Sequence, residues 1–157
     1  IVEDHIHNYE RWLGAQPGQI GPGSQSSLTG FRLTSNATAN QFGTAITILD
    51  GTETPTAPGM TLFDFHRMLL VGVQNSSKTY RIRFANNNKG HTSWAAAAAA
   101  GVYSDICLRV DTAPVHGFPY DLFSHRLPAG TTIWAAVATA DSVSQWIDIM
   151  VGIHEYQ

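Results

Sequence analysis

Seven histidines, twelve carboxylates and one cysteine are the residues of this 157-residue chain best equipped for chemistry, and their spacing decides what they can do. Neutral imidazole is a common metal ligand. His5 and His7 stand two apart beside Asp4, a spacing that chelates if the segment is extended. His66, His91, His116, His125 and His154 are scattered. A metal site inside a β-sandwich of the cupin type wants two histidines close together on one strand, a glutamate shortly after and a distant histidine. No His-x-His falls on a predicted core strand, so no metal and no cofactor is expected. A carboxylate pair for acid–base work, Asp64 with Asp148 or Glu155, is open to the chain but is not singled out by spacing. The nucleophile elbow and the glycine-rich phosphate loops are absent. Cys107 stands alone, which rules out an intrachain disulfide and a thiolate zinc site. Its run, Ile106-Cys107-Leu108, reads as a buried strand in which the thiol acts as a small hydrophobe. The expectation is a structural or binding module rather than an enzyme.

The elements that would position these groups are short runs rich in Thr, Val, Ile and aromatics, separated by Gly, Pro, Asn and Ser. That is the pattern of a single antiparallel, all-β sandwich. Strands are predicted over 28–35, 44–49, 61–73, 79–85, 102–110, 119–127, 131–139 and 145–156. The clearest alternation is Tyr80, Ile82 and Phe84 against Arg81 and Arg83. About eight strands in two sheets is a jelly roll's count, and its long crossing connections suit the uneven loops. An immunoglobulin-like sandwich fits the count, but its Cys…Trp…Cys signature is missing. The predicted core is Ile46, Ile48, Leu69, Val71, Ile82, Phe84, Ile133, Ile147, Ile149 and Val151. Between 86 and 101 the pattern breaks at Trp94 and six alanines before Gly101, a short helix or a low-complexity insertion in a surface loop, with the insertion favoured.

Residues 1–13 differ from the rest. Val2, Ile6, Tyr9 and Leu13 fall at helical spacing and predict an N-terminal arm, either a short amphipathic helix, too short to stand alone in water, or an extended segment. Residues 14–27 read as a Gly/Pro/Ser linker, and 28–157 as the sandwich domain.

Charged residues make up only 13% of the chain, which suits a surface partly covered by copies of itself or by a partner. The net charge of −3 argues against nucleic acid. Arg81 and Arg83, the nearest thing to a basic stripe, read as surface ion-pair residues. No apolar run is long enough for a membrane span, and the first residues lack the basic start and apolar centre of a secretion signal. Trp12, Trp94, Trp134 and Trp146 leave a carbohydrate- or receptor-binding module open as the alternative function. Trp134 and Trp146 are expected in the core and Trp94 in an exposed loop.

Three segments, Glu3-Asp4-His5-Ile6-His7-Asn8, Gly59-Met60-Thr61-Leu62-Phe63-Asp64-Phe65-His66-Arg67 and Gly152-Ile153-His154-Glu155-Tyr156, resemble small jelly-roll head decoration (cement) proteins of tailed bacteriophages. The resemblance implies a non-enzymatic virion protein, made in the host cytoplasm, that sits on the capsid surface as a homo-oligomer, most often a trimer. It also implies that the protein bridges neighbouring major capsid subunits and that its arm reaches the capsid or a neighbouring copy. Ile6, Tyr9, Trp12 and Leu13 are the expected arm anchors, with Phe65, His66 and Trp94 as further interface candidates.

Overall fold

Alternation of buried and exposed side chains builds the strands. In β5 (Lys78–Asn86), Tyr80, Ile82 and Phe84 are buried while Thr79 and Arg81 face out. The computed structural model of the chain describes residues 11–14, 30–51, 59–111 and 119–156. Within them lie ten strands and one short helix.

Strand pairing follows one rule. β2 (Phe31–Thr34) pairs with β10 (Trp146–Tyr156), and β3 (Ile46–Leu49) with β9 (Ile133–Thr139). β4 (Leu62–Val73) pairs with β7 (Tyr120–Asp121) and β8 (Leu127–Pro128), and β5 with β6 (Tyr103–Val110). The early strands thus meet the late ones in reverse order, as in one long hairpin with its tip between β5 and β6. Rolling that hairpin adds the lateral pairings β4–β10 and β5–β9 and yields two antiparallel sheets. Sheet A holds β1 (Arg11–Leu13), β2, β10, β4, β7 and β8, and sheet B runs β3-β9-β5-β6. This is jelly-roll topology. The predicted 119–127 strand is the one that splits. Only its two ends pair with β4, while between them Leu122 N–H bonds the His66 carbonyl and the Ser124 hydroxyl accepts from Phe65 N–H at 2.7 Å.

The two sheets enclose one apolar core. Phe65 of β4 meets Phe84 of β5 edge to face at 5.2 Å, tying the layers together. Ile48, Ile82, Phe84, Ile133, Ile147, Ile149 and Val151 are buried as the sequence predicts, whereas Ile46 is only half-buried. Leu69 and Val71, also predicted to be core, are half-buried, and Met68 and Leu70 take the interior instead. Against β10 the register of β4 slips twice. His66 is the extra residue between Phe65↔Ile153 and Arg67↔Gly152, and Val71 is extra between Leu70↔Ile149 and Gly72↔Asp148. Each bulge inverts the inside–outside phase, so strict alternation from Phe63 puts the later side chains on the wrong face.

At the N-terminal side, Arg11–Leu13 form β1, paired to β10 with Leu13 opposite Val151 and fully buried. The described end of the predicted arm is therefore extended rather than helical, with a period of two that places Leu13 in the core and Trp12 outside. Residues 1–10 and the predicted linker beyond Gly14 lie outside the described residues. Gly30 shows why β2 starts where it does. With φ at +87°, a Cβ there would collide with the Ile149 carbonyl, so only glycine lets β2 close on β10.

The alanine run forms α1 (Trp94–Ala99) at the hairpin tip, rather than the loop insertion favoured from sequence. The Ser93 hydroxyl caps it by accepting from Ala96 N–H at 3.2 Å, and Gly101 turns the chain at φ +76°. The helix packs on β5 and β9 with Ala97 fully buried, so the small side chains serve close approach.

The bulge at His66 makes a direct prediction. Met68→Ala should lower unfolding free energy by about 2–5 kcal/mol, the range for emptying a buried site, and Leu69→Ala by clearly less. Urea unfolding of both variants measures this, and a larger loss for Leu69→Ala would contradict the assigned phase.

Candidate functional site

The outer face of sheet A gathers more unusual side chains than any other described surface. Pairing of β4 with β10 sets Asp64 opposite His154, and the bulge at His66 swings a second imidazole beside it. The two rings stack with centroids 3.6 Å apart and planes at 20°. Tyr156, one outward position further along β10, donates its hydroxyl to Asp64 Oδ2 at 2.6 Å, and the Arg126 guanidinium lies 4.0 Å over its ring. Burial, together with the hydrogen bond to Asp64 and that carboxylate's charge, pushes the Tyr156 phenol up to about 12 despite Arg126. It remains a neutral donor through the physiological range. Asp64 Oδ1 is buried without a hydrogen-bond partner among the described residues.

These groups line a shallow depression of about 240 Å³ whose rim carries Phe123. Phe123 is 91% exposed, the most solvent-facing large apolar side chain among the described residues. On the same face, Trp12 lies opposite Gly152 and Leu69 opposite Met150, with Trp12 and Leu69 half-buried. Farther along, Arg32 grips Asp148 through Nε at 2.8 Å and a second nitrogen at 2.9 Å while stacking 4.0 Å over Trp146.

Neither proposed carboxylate pair assembles. Asp148 is committed to Arg32, and Glu155 pairs across from Phe63 on the inward face while Asp64 points outward. No group of three or more His, Cys, Asp or Glu side chains among the described residues is placed to hold a metal ion. His5, His7 and His116 lie outside those residues.

A second cluster occupies the outer face of sheet B. Asp105 receives Arg81 Nε at 2.8 Å and Arg83 through Nε at 2.7 Å and a second nitrogen at 2.8 Å, the ion-pair role read from the sequence. Arg83 is sandwiched between the rings of Phe42 at 4.8 Å and Tyr103 at 3.5 Å. Burial raises the Asp105 carboxyl, but the hydrogen bonds and charges of Arg83 and Arg81 outweigh it and hold it below the ordinary aspartate range. Trp94, expected to be exposed, is half-buried with its ring 5.2 Å from Phe42. Trp134 and Trp146, expected in the core, are half-buried instead, because Ile133 and Ile147 take the adjacent inward positions. Cys107, expected to be buried, is exposed beside Arg81, since Ile106 and Leu108 claim the inward phase of β6.

Of the predicted interface residues, Trp12 and His66 share the outer face of sheet A, while Trp94 belongs to the sheet B cluster. Leu13 and Phe65 fill the core, so neither offers a surface to a partner. Ile6 and Tyr9 lie outside the described residues. Sequence reasoning missed Phe123, His154 and Tyr156. Alternation in 119–127 carried a signal for Phe123, since a buried Leu122 implies an outward neighbour. No protein-family model, curated protein or solved structure matches the chain.

The depressed Asp105 carboxyl makes a stability prediction. A group held below its unfolded value stabilises the fold above that value, about 3.9 for aspartate, and the contribution is lost as pH falls through the lower folded value. Thermal melts of wild type and Asp105→Asn should differ by a constant margin above about pH 5 and converge below pH 4. A gap that does not narrow as pH falls below 4 would contradict the assignment.

Proposed function

We propose that this protein is a non-enzymatic capsid decoration protein that assembles with itself, a trimer being the favoured form, and bridges subunits of a phage shell through the outer face of sheet A. The observation that carries this reading is Phe123, 91% exposed on a sheet face that also presents Trp12, Leu69 and the stacked His66–His154 pair. A large exposed aromatic at the rim of a depression is the kind of anchor that a docking partner covers. The jelly-roll topology, the low charge and the phage-like segments 59–67 and 152–156, which pair with each other in sheet A, support the same reading. A shell presents many equivalent sites, so each contact can be modest and still hold the particle through avidity.

The test is size-exclusion chromatography with light scattering, followed by co-sedimentation with phage heads stripped of the protein. Wild type should run as a closed oligomer of its 17.0 kDa chain and bind the heads. Phe123→Asp should weaken association by roughly 30-fold, equivalent to about 2 kcal/mol, with the far-ultraviolet spectrum unchanged. A wild-type monomer that ignores the heads would overturn the reading.

A further inference from the structure

A second surface, separate in chemistry from the interface face, has the make-up of a ligand site. Where the β5–β6 hairpin tip meets the 122–126 segment, a groove of about 400 Å³ opens at one end of the sandwich. That volume is within the range of small-molecule sites. From the geometry we infer that this groove binds a saccharide bearing a carboxylate, with Tyr103 as its stacking platform and Lys89 as the carboxylate's partner.

The lining alternates apolar and polar groups as a sugar ring alternates C–H faces and hydroxyls. Val102, Leu127 and the Tyr103 ring supply the apolar part, and Asn86, Asn88 and Ser104 the amides and hydroxyl. Tyr103 is 38% exposed and lines the groove, and Arg83 lies 3.5 Å over its ring. Arg83 is itself clamped by Asp105, so the platform is fixed before a ligand arrives and little ordering entropy remains to be lost on binding. The Asn88 side-chain amide, the Ser104 hydroxyl and the Lys89 ammonium make no hydrogen bond among the described residues, which leaves these donors for a ligand. The Asn86 side-chain oxygen is occupied by Asn88 N–H at 3.0 Å, which orients its NH₂ group as a donor.

Charge selects among sugars. Although the chain carries a net charge of −3, no Asp or Glu lines the groove, while Lys89 and His125 do. A carboxylate is therefore favoured over a neutral ring, and an ammonium-bearing sugar is disfavoured. The groove takes Ser124 and His125 from the 122–126 segment, whereas Phe123 between Leu122 and Ser124 serves the sheet A depression. One short segment thus contributes to both surfaces, and the ligand site does not depend on the decoration role.

The experiment is a ¹⁵N NMR titration of the full chain with cellobiouronic acid, and in parallel with neutral cellobiose. Saturable shifts at Asn88, Lys89, Tyr103 and Ser104 with the acidic sugar, at least fivefold tighter than with cellobiose, are expected. Tyr103→Ala should weaken binding of both sugars at least tenfold. Lys89→Ala, a fully surface change that leaves the fold intact, should abolish the preference for the acidic sugar. Absence of shifts at these residues with either sugar would overturn the site. Equal affinity for both sugars in the wild type would overturn the charge assignment.

Discussion

Everything in sheet A depends on one strand, β10, and on how its two edges are shared. One edge is divided between β2, paired with 146–149, and β1, paired with 151–153, while the other runs along β4 for nearly the whole strand. Its inward side chains, Ile147, Ile149, Val151 and Ile153, are all fully buried and form the spine of the core. A strand so used must be apolar inside and tolerant outside. Gly152 supplies that tolerance beneath Trp12, and Asp148 is accepted only because the Arg32 guanidinium pairs with both of its oxygens. Where β2 ends, a polar corner continues the pairing. Ser35 N–H donates to the Gln145 carbonyl at 2.8 Å, Gln145 N–H donates to the Ser35 hydroxyl at 2.9 Å, and the Ser144 hydroxyl donates to the Ser35 carbonyl at 2.9 Å. Ser35 and Gln145 are buried there with their backbone groups satisfied.

The same pairing makes the candidate surface. If β4 matched β10 residue for residue, His66 would have a partner of its own across the ladder. The bulge removes that partner and brings His66 against His154. Bulges gather where a side chain has to be re-aimed, and here the re-aimed residue borders the depression under Phe123. Sheet B is finished differently. Its outer face is covered by α1 and Phe42 and locked by the Arg81–Arg83–Asp105 network, so less of it is left for a large partner. The two outer faces of the sandwich therefore differ in how much surface they leave open, with the polar groove at the hairpin tip between them.

Much of this architecture was legible in the residues. Tyr80-Arg81-Ile82-Arg83-Phe84 spells a half-buried strand with an ion-pair face, and Pro128-Ala129-Gly130 ends a strand where the chain turns. Legibility failed where period-two reasoning meets a device that breaks the period. Leu69 and Val71 were assigned inward because nothing in the run from Leu62 to Val73 announces two bulges, which exist only relative to β10. Leu13 looked like a helix position because Val2, Ile6, Tyr9 and Leu13 share a helical spacing, yet the edge of β10 beside Val151 captures its end as strand. The alanine run was ambiguous for a different reason. Propensity favours a helix, but so short a helix persists only when it has a surface to pack on, and β5 with β9 supplies that surface. The groove was invisible from sequence, since Asn88, Lys89, Tyr103 and His125 come together only when the long hairpin rolls.

The central claim is that sheet A's outer face is the one buried when copies and shell assemble, while the hairpin-tip end stays open to solvent. Hydroxyl-radical footprinting of the assembled protein against its Phe123→Asp variant reads this directly, because oxidisable side chains lie on both surfaces. The account predicts that Trp12 and His66 are protected in the assembly and that Tyr103 and Trp134 oxidise at the same rate in both samples. Protection of Tyr103 and Trp134 with Trp12 unchanged would contradict it.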